Sequence, residues 1–102
     1  MYRSTTPELI FHITNKDFDM ADIDICHVTV MGADNLHTII YKNPEIDTEN
    51  KTIKQFMTQA ETAAFNVGSV LTQVKIKLNN GSVICSPVIV TDMKEILEVE
   101  EL

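Results

Sequence analysis

The feature that most constrains this chain is a short segment, residues 58–68, in which local chemistry starts and stops a helical turn. Thr58 and Glu61 have the spacing of a capping box, in which the threonine hydroxyl accepts from the backbone N–H three residues on and the glutamate carboxylate reaches back to the threonine N–H. Gly68 stands where a helix end favours a residue that takes a positive φ. Because β-type sequence lies on both sides, we predict a short turn, plugged by Phe65, that crosses from one sheet of a sandwich to the other.

Alternating and β-branched runs on either side of this turn predict an antiparallel all-β domain. The clearest run is Ser69 to Leu78, which places one apolar set on a single face. Residues 46–50 read as a polar connection, and Phe18 and Met20 are predicted to reach the core from a polar loop. The predicted strands are 8–14, 23–31, 36–42, 51–57, 69–78 and 82–91.

Two local signals mark the last hairpin. Asn79-Asn80-Gly81 is the strongest turn signal in the chain, because Asn-Gly accepts the positive φ values of a type I′ turn. Pro87 lies within the returning strand and cannot donate to a ladder, so that strand is predicted to be an edge or to carry a bulge.

An α+β alternative stays open at this point. Apolar residues between Ile53 and Val67 also match helical spacing, so residues 51–66 could form one longer helix. The capping box at Thr58 and the poor helix propensity of Thr52 favour a strand followed by a turn.

The length of the chain limits the number of domains, and its charge limits the kinds of binding partner. A chain of 102 residues predicts one domain over residues 1–92, whose first seven residues form a mobile polar leader, followed at 93–102 by an acidic tail. Acidic residues outnumber basic ones by 15 to 8, for a net charge of −7, which disfavours nucleic acid and anionic membranes as partners. No apolar run is long enough to span a bilayer, and the N-terminus lacks a secretion signal, so we expect a reducing cytoplasm.

No pattern in the sequence points to a catalytic, cofactor-binding or metal site. Three histidines are scattered singly, with no HxH, CxxC or HExxH spacing. A cluster of aspartates lacks the glycine and closing glutamate of a calcium loop, which favours a solvated loop. No GxSxG or Cys–His–Asp arrangement supports a nucleophile. The residues considered are His12, His27, His37, Asp17, Asp19, Asp22 and Asp24.

Two cysteines, Cys26 and Cys85, fall on different predicted strands. Their separation is similar to that of the inter-sheet bridge of immunoglobulin domains, but Cys85 lies one strand too late for that role. Two buried free thiols are therefore the favoured interpretation.

The residues around the predicted turn resemble a family of small proteins, of about this length, from the structural-gene modules of phages and prophages of Firmicute bacteria. The likeness lies in Thr58-Gln59-Ala60-Glu61-Thr62 with Phe65, an alternating strand at Gln73, a Gly81 hairpin and Ser86 on the last strand. Met57 stands where the family usually has leucine. The turn is also similar to the sheet-crossing turn of immunoglobulin domains, which implies an immunoglobulin-like antiparallel β-sandwich. In that fold, Gln59 or Gln73 is expected to bridge neighbouring strands.

The resemblance implies a non-enzymatic structural or assembly protein that acts by self-association or by docking onto a larger virion component. The expected partners are proteins, either further copies or other virion proteins, and the expected locations are the host cytoplasm during assembly and the virion. The Pro87 strand and the 51–57 strand are the predicted free edges for such contacts. The alternative is a small carbohydrate- or peptide-binding β-sandwich module, which would display exposed aromatic residues.

Overall fold

The computed structural model describes residues 1–14 and 18–95, and this part of the chain folds into two antiparallel sheets. A 3-10 turn at Met20–Asp22 and a short helix, α1, at Gln59–Ala63 lie between strands. The strands are β1 Glu8–His12, β2 Ile23–Gly32, β3 Thr38–Tyr41, β4 Glu45–Asp47, β5 Thr52–Phe56, β6 Gly68–Leu78, β7 Val83–Cys85 and β8 Ile89–Met93.

The strand order confirms the predicted immunoglobulin-like sandwich. One sheet runs β1-β5-β4, and the other runs β3-β2-β6, with β7 and β8 both paired to the far side of β6. These are the places of strands B-E-D and C′-C-F-G in an immunoglobulin domain. Among the described residues, no strand takes the place of the immunoglobulin strand A beside β1.

The inner faces of both sheets form one core. On β2, the alternate residues Cys26, Val28 and Val30 point into this core, and all three are buried. Predicted burial of Phe18 and Met20 is also confirmed: Met20 is in the core and Phe18 packs against it. Other buried side chains of this core include Phe11, Ile53, Met57, Phe65, Val70, Val74 and Met93.

The packed domain extends further toward the C-terminus than the sequence indicated. Met93, assigned to the tail, is the last residue of β8 and is 1% exposed. Lys94 forms a parallel bridge with Tyr2. The remainder of the predicted tail, 96–102, lies outside the described residues.

The predicted crossing turn is present with both bonds of its capping box. The Glu61 N–H donates to the Thr58 hydroxyl at 3.2 Å, and the Thr58 N–H donates to the Glu61 carboxylate at 2.8 Å. The alternative of one helix over residues 51–66 is wrong, because Thr52–Phe56 is strand β5 and α1 begins after Thr58. Gly68 does take a positive φ, 134°, but it opens β6 rather than capping α1, whose C-cap is Ala64 in the right-handed region.

One strand was missed in the sequence. Residues 46–50 were predicted to be a connection, but Glu45–Asp47 forms β4 and pairs with β5. A strand of three residues is too short to show the alternation of apolar and polar residues that identifies a strand in the sequence. The Asp47 carboxylate accepts from the Glu49 and Asn50 N–H groups and so builds the tight turn that follows.

The last hairpin has a different turn from the one predicted. Leu78 donates to the Ser82 carbonyl and the Gly81 N–H donates to the Leu78 carbonyl, which leaves a three-residue loop. Only Gly81, at φ 89°, has a positive φ there, whereas a type I′ turn needs two such residues. A three-residue loop with a left-handed glycine at its end is the next commonest hairpin, and Asn-Gly serves it equally well.

The returning strand is both an edge and bulged, as Pro87 predicts. Val74 faces Ser86, whose N–H donates to the Val74 carbonyl, while Thr72 faces Ile89. Gln73 therefore faces two residues, Pro87 and Val88, which is a β-bulge that divides the predicted single strand into β7 and β8.

Phe65→Ala is expected to lower the free energy of unfolding by about 3–5 kcal/mol, because the ring is 1% exposed and its removal leaves a cavity between the sheets. Urea titration monitored by circular dichroism would measure the change. Phe56→Ala is the matched control, since that ring is 60% exposed and should cost far less. Equal losses in the two variants would contradict the role of Phe65 as a buried plug.

Candidate functional site: an open seam between the two sheets

The histidines and aspartates considered for metal binding do not converge in the described part of the chain, where no group of three potential ligands is found. His37 instead packs against Phe65 in an edge-to-face arrangement, with ring centroids 4.7 Å apart. The Asp19 carboxylate accepts from the Ala21 N–H and caps the 3-10 turn. Asp17 lies outside the described residues.

The two cysteines are free, but only one is buried as predicted. Cys26 points into the core from β2, and burial raises the pKa of its thiol to about 11. Cys85 is exposed on the outer face of β7, because the outward positions of this edge strand have no layer above them. The prediction of two buried thiols was therefore wrong for Cys85.

The residues on which the family resemblance rests hold the scaffold together. Thr58 and Glu61 start α1, and Phe65 fills the space between the sheets. The predicted bridging role is confirmed for Gln73, whose side-chain amide donates to the Ser86 carbonyl at 2.9 Å. The Ser86 hydroxyl in turn accepts from the Val74 N–H at 3.0 Å, so these two side chains replace the ladder bonds lost at the bulge.

The free edge of β1 presents unpaired backbone groups on one side of the molecule. Pro7 accepts from Met57 and Ile13 donates to Lys51, so the odd-numbered residues of this segment point their backbone groups toward β5. Backbone groups alternate in direction along a strand, and those of Glu8, Ile10 and His12 therefore point away from it. Within the described chain, no strand pairs with this edge.

A second free edge, that of β8, lies beside the first. Asp92 and Lys94 direct their backbone groups away from β6, toward Met1 and Arg3. By the same alternation, the backbone of Val90 also points away from β6, beyond the reach of that terminal pairing. Val90 and Ile89 are 61% and 47% exposed, and this part of the edge carries no lysine that would hinder pairing with another strand.

An apolar groove follows the seam between these two edges. Its first part encloses about 270 Å³ between Leu9 and Phe11 on β1 and Ile89 and Thr91 on β8. Its second part encloses about 210 Å³ and continues along the same seam, between the end of β1 and the β7 side of the bulge. The second part is lined by Ile13, Phe18, Val74, Ile84 and Pro87. A cavity of about 150 Å³ already accepts a ring the size of benzene, so each part has room for an aliphatic side chain.

The N-terminal segment closes one end of this seam and is not the mobile leader predicted. The Met1 amino group donates to the Asp92 carbonyl at 2.8 Å, and the Arg3 N–H donates to the Lys94 carbonyl at 3.0 Å. The hydroxyl of Thr62 accepts from the Thr5 N–H at 3.0 Å and donates to the Thr5 carbonyl at 2.8 Å. Polar composition concealed this anchoring, because the bonds use the backbone and a buried threonine on α1.

Of the two edges predicted to make contacts, only one is an edge. The Pro87 strand is the outer strand of its sheet. Strand β5, from the predicted 51–57 run, is the central strand between β1 and β4. Missing β4 in the sequence caused this error, since β4 covers the side of β5 that would otherwise be free.

The seam carries little charge of its own. Glu8 supplies the one carboxylate among the residues that line its two parts, and no lysine or arginine lines either. Met1 also lines the first part, and its amino group donates to the Asp92 carbonyl. The chain as a whole is acidic, with a net charge of −7. The groove therefore offers apolar walls and free backbone donors and acceptors on a chain whose net charge is negative.

No helix in the ranges that the structure describes has the length and apolar character needed to cross a membrane. Comparison with protein-family models, with curated proteins and with solved structures gave no match for this chain.

Thr62→Val is expected to destabilise the protein by about 1–3 kcal/mol, because it leaves the Thr5 N–H and carbonyl without their partner. The exchange of the Thr5 and Arg3 amide hydrogens should accelerate, which hydrogen-exchange NMR would measure. Thr6→Val, at an exposed position in the same segment, is the control. Unchanged exchange at Arg3 in Thr62→Val would contradict the anchoring role of this hydroxyl.

Alkylation should distinguish the two thiols. At pH 8 iodoacetamide is expected to modify Cys85 and to spare Cys26, since a thiol with a pKa of about 11 is ionised in only about one molecule in a thousand at that pH. Peptide mass spectrometry would locate the label, and both residues should react in urea. Equal labelling of the native protein at both positions would contradict the burial of Cys26.

Proposed function

We propose that this protein is a non-enzymatic structural or assembly protein of a phage or prophage, which docks onto a larger virion component through the open seam of its sandwich. The observation that carries the docking is the pair of free edges, at Ile10 and Val90, on either side of an apolar groove. Extended segments bind to such edges by adding a strand, with the backbone supplying affinity. The phage assignment rests on the resemblance of the 58–65 turn, Gln73 and Ser86.

The acidic surface supports docking to another protein over indiscriminate self-association. A net charge of −7 on a small domain makes copies repel one another at long range. Natural edge strands are guarded against self-pairing by charge, proline or bulges. Here the Pro87 bulge and the N-terminal segment guard the two ends of the β7–β8 edge and leave the stretch around Val90 open.

The test of the virion role begins with the source genome and its induced particles. Genes for portal, capsid, tail-tube or tape-measure proteins should flank this gene, and mass spectrometry should detect the protein in assembly intermediates or in purified particles. Flanking genes for secretion or sugar uptake, together with absence from all particle fractions, would overturn the proposal.

A charge on the seam should reduce incorporation of the protein. Val90→Lys places a lysine beside the open edge, where charges block strand addition, and should lower the amount recovered with particles by about tenfold or more. Ile40→Lys is the matched control, because Ile40 is similarly exposed on the opposite edge strand, β3. Equal recovery of both variants would contradict docking at this seam.

The second candidate, a carbohydrate- or peptide-binding module, is favoured by one exposed ring. Phe56 is 60% exposed on the outer face of the smaller sheet, opposite Glu8. Small-molecule and peptide sites are commonly lined by aromatic side chains together with a few polar groups. Binding of a soluble glycan that is lost in Phe56→Ala and retained in Val90→Lys would favour this function over docking at the seam.

A further inference from the structure

We infer that the seam takes one extended segment of a different protein, in which β-branched aliphatic residues alternate with lysine or arginine, as an added strand on β1. This inference rests on the docking function proposed above and specifies the chemistry of the partner. Three features of the seam carry it: the length of the β1 edge, the walls of the groove and the sign of the surrounding charge.

The edge of β1 is the longer of the two free edges. Glu8, Ile10 and His12 direct their N–H and carbonyl groups outward over the whole strand, whereas β8 offers Val90 between the bulge and the terminal pairing. An added strand therefore makes most of its backbone bonds with β1. Its backbone also occupies the position that strand A holds in an immunoglobulin domain.

The groove selects the side chains that point inward. Alternate residues of an added strand face the sandwich interior, because side chains alternate across a strand. There they meet Leu9, Phe11 and Ile89 in the first part of the seam, and Phe18 and Ile84 in the second. These walls are apolar, and β-branched aliphatic residues combine the burial and the extended conformation that the position needs.

The charge of the chain selects the residues that point outward. Glu8 lies on the seam itself, and the chain has seven more acidic than basic residues. Outward lysines or arginines on the incoming strand are attracted by Glu8 and by this net negative charge. A second copy of the chain carries the same net negative charge and is repelled by it.

The probe is a synthetic peptide as long as β1 in which isoleucine or valine alternates with lysine. Fluorescence anisotropy with a labelled peptide should show saturable binding, and hydrogen exchange should slow at the Ile10 and His12 amides. A peptide with glutamate in place of lysine should bind about tenfold more weakly, a difference of about 1.4 kcal/mol. Equal binding of the two peptides would overturn the charge selection.

Ile10→Pro tests the edge itself. Proline removes the outward N–H of Ile10 without breaking a bond to β5, and edge strands tolerate proline at such positions. Binding should fall by more than about tenfold. The matched control is Ile40→Pro on β3: Gly32 donates to His37, which places the backbone of Ile40 on the free side of that strand. Equal loss in both variants would overturn the assignment to β1.

Ile89→Lys tests the groove independently of the backbone. Ile89 is 47% exposed, so lysine fits without burial, and its charge repels the lysine-bearing peptide at the mouth of the groove. Val83→Lys, on the outer face of β7, is the control.

No binding by the native protein would overturn the inference and indicate an empty seam. A dimer in light scattering that dissociates in Ile10→Pro would also overturn it, because a second copy would then fill the seam. Recovery with particles tests the docking function separately.

Discussion

The two-sheet arrangement depends on the crossing between β5 and β6. The capping box fixes where α1 begins, and the Phe65 ring is then placed between the sheets. α1 also carries Thr62, whose hydroxyl holds the N-terminal segment through Thr5. Burial and the Glu61 carboxylate also raise the pKa of the Tyr41 hydroxyl of β3, which lies beside the same turn. A five-residue helix thus connects the crossing to the N-terminal segment.

Much of the fold was predictable because its determinants are local. The reciprocal bonds of Thr58 and Glu61 depend only on spacing, and the alternation from Val70 to Leu78 depends only on which face is buried. Pro87 predicted the bulge, because proline has no N–H to donate to the backbone hydrogen bonds between strands. These features can be read from neighbouring residues without knowledge of the tertiary structure.

The parts that the sequence did not reveal are non-local. Strand β4 is defined by its pairing with β5, and three residues of mixed polarity show no period. The N-terminal segment is anchored by backbone bonds to Asp92 and Lys94, which no composition rule reveals. Both errors hid the seam. It exists because β5 is a central strand, which makes β1 the edge, and because the N-terminal segment pairs with the end of β8 and leaves the edge of β1 free. The turn at residues 58–65, on which the resemblance rests, is part of the scaffold.

The pairing of Met1 and Arg3 with Asp92 and Lys94 has a consequence for how the molecule folds. The Met1 bond to Asp92 joins residues 91 positions apart, and contacts with such a large loop-closure entropy cost tend to form late in folding. We therefore expect β6 and β8 to pair before the N-terminal segment reaches the β8 edge, which leaves that edge open in the meantime. During that interval, copies are held apart chiefly by their charge, so salt that screens it should matter more to refolding yield than to the stability of the finished domain.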